Sequence, residues 1–405
     1  MRILFLAPHL PSPPTSGGGA RMHGLISELA GRHEVAVLAF RGRGANDREA
    51  VEATGRYARL VVAVENPHLG VSMREKRIGQ LRSLLAPASF ERRVYGLPSL
   101  QRSFDRVVRE WRPDVVVIEF AQMGYLRFPP EIPVVLDAHN LEHEIILRSG
   151  EVEGSFARRA YSRINAFKLK REEMDLVRRV DGLAVTSERD GEAFARLFSG
   201  FQPVVVPNAV DTESFRPPVA EADGLEILFF GAMDYFPNAD AVLYFYREIW
   251  PGLKRTYPEL RFNIVGRDPS PEVRALGDSP GVTVTGLVDD VREWIGSASV
   301  VVVPLRAGSG TRLKVLEAMA MGRPVVSTSL GVEGLDVEPG TDLVVADSAA
   351  EFRDAVSMLL GSVDERRRLG DAARALVEDR YDWRRSAREL DRLLEDVTAR
   401  RAGAD

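Results

Sequence analysis

Residues 204–217 read VVVPNAVDTESFRP, and whether they close a strand or join two domains decides the fold. The stretch opens as a β-branched run and breaks at Pro207-Asn208, a turn pair, with Asp211 placed to cap the short segment after it. Before it, apolar runs alternate with longer amphipathic segments: RILFLAP (2–8), VAVLAF (35–40), LVVAV (60–64), DVVVIEF (114–120), PVVLDAH (133–139) and GLAVTSE (182–188). After the proline-rich RPPVAEADG (216–224) the pattern restarts with EILFFGA (226–232), RFNIVGR (261–267), VTVTGLV (282–288), SVVVVPL (299–305) and RPVVST (323–328). Near-continuous apolar strands separated by helical stretches are the signature of a parallel sheet covered on both faces. The reading is therefore two doubly wound α/β domains, residues 1–205 and 206–382, joined near 205–222. The segment YDWRRSARELDRLLEDVTARR (381–401) reads as a helix with Trp383, Leu390, Leu393 and Leu394 apolar.

A chain of 405 residues with 45% hydrophobic and 28% charged side chains has the balance of a globular protein able to bury two cores. It has no cysteine, which excludes disulfides and thiolate metal sites, and its six histidines are read as giving no metal site. MRILFLAPHL is too short an apolar run for a signal peptide and no later run reaches transmembrane length, so cytoplasmic residence is expected. Charge is uneven: residues 1–210 carry +5 and the remainder −10 of the net −5. The basic residues concentrate at Arg74–Arg112 and Arg158–Arg179. These are either solvated helix faces or a surface for an anionic acceptor or the inner membrane face. Nothing suggests a nucleic-acid partner.

Three glycines, Gly17 to Gly19, lie in PHLPSPPTSGGGARMHG (8–24) between the first strand and the helix GLISELAGRH (24–33), which Gly31 ends. Such a run lets backbone N–H groups approach an anion at a helix N-terminus, although it lacks the dinucleotide spacing. A bare strand-to-helix turn is the alternative.

The pattern PN-A-VD-x-x-x-F-x-P of 207–217 closely resembles the interdomain signature of glycosyltransferase family 4, whose fold is GT-B. FFGAMDYFPNADA (229–241), FNIVGRDP (262–269), VTVTGLVDDVREWIGSASVVVVPL (282–305) and PLRAGSGTRLKVLEAMAMGRPVVST (304–328) resemble further family motifs in the same order. The resemblance covers nearly the whole chain. It implies two Rossmann-like domains facing across a cleft, the first for the acceptor and the second for a nucleotide-sugar donor. It also implies that the last helix, about 383–405, packs back on the first domain, and that transfer retains anomeric configuration without a metal or other cofactor. By position it implies that Glu317 binds the donor ribose, that Val288 and Asp290 line the base and ribose, and that Arg267 lies near the donor. Gly18 and Gly19 then face the diphosphate, with Gly231 in the loop after the second domain's first strand. His139 sits beside the anomeric centre, with Asp137, Asn140 and Glu142 as orienting or acceptor-binding candidates. The acceptor would be a small molecule, a glycan or a lipid-linked sugar.

Two departures from the family pattern matter. No basic residue occurs from Gly231 to Tyr246, where an Arg and a Lys usually meet the departing diphosphate. In GSGTRLK, however, Arg312 and Lys314 follow Gly310 and Thr311 at a helix start, and the expectation is that the diphosphate contacts have moved there. Ser309 stands where the first clamp glutamate would be, which changes a contact to the donor sugar. The chain looks closest to the branch with a GSGTRLK-type clamp, linked to bacterial polysaccharide or secondary-metabolite assembly. A non-hydrolysing sugar-nucleotide epimerase and a non-catalytic sugar-nucleotide scaffold are the competing readings.

Overall fold

The computed structural model describes residues 1–14, 16–42, 47–152, 156–198, 202–218, 224–308 and 310–403. The chain forms two compact units, Met1–Asn208 with Trp383–Asp405, and Ala209–Asp382.

The first unit is built on a seven-stranded sheet: β1 (Arg2–Ala7), β2 (Glu34–Arg41), β3 (Leu60–Glu65), β4 (Val115–Glu119), β5 (Val134–Ala138), β6 (Gly182–Val185) and β7 (Val204–Val205). The spatial order is β3-β2-β1-β4-β5-β6-β7 and the pairings are parallel, with Ile3 opposite Val35 on one side and Val115 on the other. Ile3 to Ala7 and Val115 to Ile118 are fully buried, which is why these strands read as unbroken apolar runs. Order reverses between β1 and β4, so the chain leaves these neighbouring strands toward opposite faces. The carboxyl ends of these two strands are where such sheets bind ligands.

The terminal helix Trp383–Ala402 completes this unit, packing on the helix Gly17–Ala30 and on β6. Its Leu390, Leu394 and Val397 are buried, and a side chain at Gly24 would meet the Trp383 ring at 2.3 Å. Asp391 on this helix is 2.7 Å from His33 Nε2 and accepts from Arg32 at 3.1 Å.

The second unit repeats the plan with β8 (Glu226–Phe230), β9 (Arg261–Val265), β10 (Val282–Gly286), β11 (Val300–Val303), β12 (Val325–Ser327) and β13 (Val344–Val345). Their order is β10-β9-β8-β11-β12-β13, again parallel, so here the reversal falls between β8 and β11. The ends of this unit meet: Val210 bridges Asp382, its N–H donates to the Tyr381 carbonyl at 2.9 Å, and Thr212 Oγ1 donates to Asp382 at 2.5 Å.

Candidate functional site

In the first unit the glycine run is not an open loop. The helix begins at Gly17, and Ser16 caps it by accepting from the Gly19 N–H at 3.1 Å, so one of the amides expected to meet an anion is already engaged. Gly18 is constrained by its surroundings instead. A β-carbon there would lie 2.6 Å from Phe120 Cζ and 3.5 Å from His139 Nδ1. Phe120 follows β4 with φ +67°, a conformation aromatic residues rarely adopt, and stacks on the His139 ring with centroids 3.7 Å apart.

His139, just past the end of β5, is buried and its Nε2 lies 2.7 Å from Glu119 Oε2 and 3.6 Å from Asp137 Oδ2. Asp137 in turn accepts both arms of Arg21, at 2.9 and 2.6 Å. Arg21 also donates to the Val206 carbonyl at 2.8 Å and to Asn208 Oδ1 at 3.1 Å, tying the Pro207-Asn208 turn to the same cluster.

Glu119, Asp137 and His139 have divergent proton affinities. Burial, with the Asp137 charge beside it, drives the Glu119 carboxyl well above its usual range. Burial would raise Asp137 too, but the Arg21 guanidinium holds it below the usual range. Burial lowers His139 to about 3, helped by Arg21. At neutral pH the cluster holds an Arg21–Asp137 ion pair, a protonated Glu119 and a neutral His139. The 2.7 Å contact joins Glu119 Oε2 to His139 Nε2, while the same carboxyl also faces Asp137; His139 Nδ1 is turned toward Gly18.

Glu119, Asp137 and His139 each offer a donor atom within 4.8 Å of the others, a cluster that sequence reading missed. They do not fit a cation: both Asp137 oxygens are taken by a guanidinium that would repel it. His139 and His143 have the four-residue spacing of a metal pair, passed over in the sequence reading. Yet His139 lies at a strand end, and His143 Nδ1 turns to Glu173 at 2.6 Å. Glu173 also accepts from the N–H groups of Glu142 and His143, capping the helix Glu142–Val152. Glu142 is pushed up to about 8 by burial and by Glu173 and Glu91. Asn140, half-buried, occupies the turn between His139 and this helix.

In the second unit the groups gather where sheet order reverses. Gly231 leaves β8 at φ +143°, and a β-carbon there would lie 2.8 Å from Lys314 Nζ. Lys314, on the helix Leu313–Ala320, donates to Asn238 Oδ1 at 2.7 Å and sits 4.1 Å over the Phe229 ring. Asn238 is fixed by donating to the Ala232 carbonyl at 2.8 Å. The loop that carries no cation of its own therefore receives the Lys314 amine from the neighbouring strand's helix. Arg267 reaches the same loop, 3.4 Å from Asp234.

Arg312 is the N-cap residue of the Leu313–Ala320 helix; it is buried and donates to the Gly310 carbonyl at 2.5 Å. Burial, then Arg312, lowers Lys314 to about 7, and burial raises Glu317, one turn along, to about 7 against the pull of Lys314. Gly310 has φ +79° and Thr311 is half-buried beside it, while Ser309 lies outside the described residues. Val288 is half-buried after β10. Asp290 is occupied: it caps the helix Val291–Ser297 through the Arg292 N–H at 2.9 Å and pairs with the Arg292 guanidinium at 2.7 Å.

Sequence reading missed Arg21, Glu119, Phe120 and Asn238. Two carried a signal. Glu119 is a lone carboxylate ending an apolar strand, as His139 ends the next, and Arg21 interrupts the apolar stripe formed by Met22, Leu25, Ile26 and Leu29.

Among the described residues no helix is long and apolar enough to cross a membrane. Residues 15–214 match the model of Glycosyltransferase Family 4, and residues 224–362 match that of Glycosyl transferases group 1. A phosphatidyl-myo-inositol mannosyltransferase of Mycolicibacterium smegmatis is 31% identical over 49% of this chain and 53% of its own length. The lipopolysaccharide core biosynthesis mannosyltransferase LpsB of Rhizobium meliloti is 25% identical over 49% of this chain and 60% of its own. The chain thus spans little more than half the length of these curated relatives. Sucrose-phosphate synthase from Thermosynechococcus elongatus superposes with a TM-score of 0.74 at 18% identity, covering 98% of this chain and all (100%) of that one. HepE from Anabaena, solved with UDP and glucose, gives 0.66 at 16% identity with 98% and 100% covered. The chain has the GT-B fold, its first unit matching glycosyltransferase family 4 and its second the group 1 glycosyl transferases.

Proposed function

We propose that the chain is a retaining glycosyltransferase with a GSGTRLK-type donor clamp. It would move a sugar from a nucleotide-sugar donor to an acceptor hydroxyl in bacterial polysaccharide, glycolipid or secondary-metabolite assembly. The observation that carries this reading is the Lys314 amine held against Gly231 and Asn238 at the reversal point of the second sheet. A departing diphosphate needs positive charge placed in advance, and Lys314, Arg312 and the first free N–H groups of their helix would supply it. Glu317, a carboxyl on the same helix, is suited to a ribose diol because it accepts two hydrogen bonds.

In this reading the neutral His139 carries its ring proton on Nδ1, the atom turned toward Gly18, and donates it to a sugar oxygen; an imidazolium would repel an oxocarbenium-like centre. The bond from the anomeric carbon to the diphosphate breaks as the bond to the acceptor oxygen forms on the same face. The acceptor proton passes to a diphosphate oxygen. The cations of the second unit do the work of a metal in this reading, so none is required.

Arg312→Ala and Lys314→Ala should each lower kcat/KM more than about tenfold, a loss of about 1.4 kcal/mol of transition-state stabilisation. Steady-state kinetics on donor hydrolysis and transfer measure it, and unaffected variants would overturn the assignment. Absence of turnover with every nucleotide sugar that shifts the melting temperature would leave a binding scaffold instead.

A further inference from the structure

Glu119 and Asp137 end neighbouring strands, face each other in register across β4 and β5, and are both fully buried. Two carboxyl groups so close and so dry do not both stay ionised, and His139 lies near each of them. Which of the two keeps its charge therefore decides what the ring faces. That choice is made from outside the two strands, by a side chain of the helix Gly17–Ala30.

Arg21 is only 1% exposed. Its Nε and Nη2 donate to Asp137 Oδ2 and Oδ1, and its Nη1 donates to the Val206 carbonyl and to Asn208 Oδ1, so every nitrogen of the guanidinium is anchored. A planar fork gripping both oxygens holds the carboxylate in one orientation, which a lysine could not do. In that orientation Asp137 Oδ2 stands 3.6 Å from His139 Nε2, beyond a good hydrogen bond, while Glu119 Oε2 stands at 2.7 Å. Phe120 covers one face of the ring. His9, from the loop after β1, is a second imidazole that disfavours charge on His139, and burial disfavours its own charged form. Thr186, just past β6, donates to Asp190 at 2.8 Å and lies 3.5 Å from the His139 carbonyl.

We propose that Arg21 is a positioning residue for His139: by engaging both oxygens of Asp137 it keeps that carboxylate ionised and away from the ring, and so keeps the imidazole neutral. The inference rests on the proposed transfer for what His139 does, but the charge relation itself needs no substrate. The cluster is neutral overall, with one cation, one anion and two uncharged groups. Replacing Arg21 by methionine leaves one buried negative charge without a partner, and such a charge takes up a proton. With Asp137 released to turn toward the ring, that proton settles on His139, which becomes an imidazolium beside a carboxylate. A side chain that merely filled the core would leave the protonation of the ring alone.

A pH titration of the full chain carrying isotope-labelled histidine, followed by nuclear magnetic resonance, tests it; the His139 signal is the one lost in His139→Gln. Arg21→Met should raise the proton affinity of the ring by about a hundredfold or more. The acid limb of kcat/KM should move up by about two pH units or more with it, because the neutral ring is the active form and is lost as pH falls. Arg21→Met/Asp137→Asn removes both charges together and should return the ring and the profile to near wild type. Both variants lose the bonds to Val206 and Asn208, so the difference between them reads the Asp137 charge alone. A ring that titrates in Arg21→Met as it does in wild type would overturn the proposal, since the proton would then sit on Asp137. So would a double variant that titrates like the single one. Should the methionine variant not fold, Arg21→Lys carries the test: the charge stays, the fork is gone, and the affinity of the ring should rise at least about tenfold. No rise there would overturn the proposal as well. Absence of turnover in wild type would count against the transferase reading, and the ring titration would still decide the role of Arg21.

Discussion

Lys314 holds its amine among the Phe229 ring, the Asn238 amide and the Arg312 guanidinium, and its proton is lost near pH 7 instead of well above it. A buried amine is ionised less readily because burial and a neighbouring cation both disfavour the charged form. If the charged form receives a diphosphate, kcat/KM should fall as pH rises through about 7, and donor binding at pH 8 should take up a proton. Lys314→Arg, whose guanidinium stays charged, should flatten this basic limb. A pH–rate profile shows whether it does; an unchanged limb would assign the ionisation elsewhere. At Gly18 the constraint is steric. Gly18→Ala places a methyl 2.6 Å from Phe120 Cζ, so the ring must leave its place on His139. The expected cost is about 1–3 kcal/mol in a denaturant melt. Adding Phe120→Leu should recover that stability without recovering turnover, if the stacked ring is what orients His139.

At the scale of elements, the Val291–Ser297 helix depends on Asp290, whose carboxylate is held by the Arg292 N–H and guanidinium. Asp290→Ala should cost about 1 kcal/mol in thermal unfolding, while Asp290→Asn keeps the cap. A rise in donor KM for the asparagine variant would mean that the charge also reads the donor. The elements show what sequence can and cannot convey. Strands that are largely apolar announce themselves as apolar runs, so β1 to β6 and β8 to β12 are legible. The Gly17 to Gly19 run reads as loop because glycine disfavours helix; Ser16 capping overrides that propensity. Arg21 and Glu119 are illegible as a site because they come from separate elements. Only the β1–β4–β5 adjacency brings them to Asp137 and His139. Lys314 stands out at a helix start, but its meeting with Gly231 needs β8 beside β11.

For the whole molecule, the last twenty residues of helix belong to the unit with which the chain begins. Trp383→Ala should remove about 3–5 kcal/mol from the first unit, since the ring fills the space above Gly24. Separate melting of the two units, followed by calorimetry, would show the loss confined to one transition. The same threading means that residues 209–382 are an insertion whose two ends are already fastened together by the Val210–Asp382 bridge and the Thr212–Asp382 hydrogen bond. An insertion with joined ends needs little from its host to close. Residues 209–382 should therefore survive excision as an independent polypeptide that still responds to nucleotide sugars in a thermal shift. The first unit, by contrast, would need a new splice from Asn208 to Trp383. On the proposed division of roles, recombination between such chains would trade donor preference as a cassette and leave acceptor choice with the host.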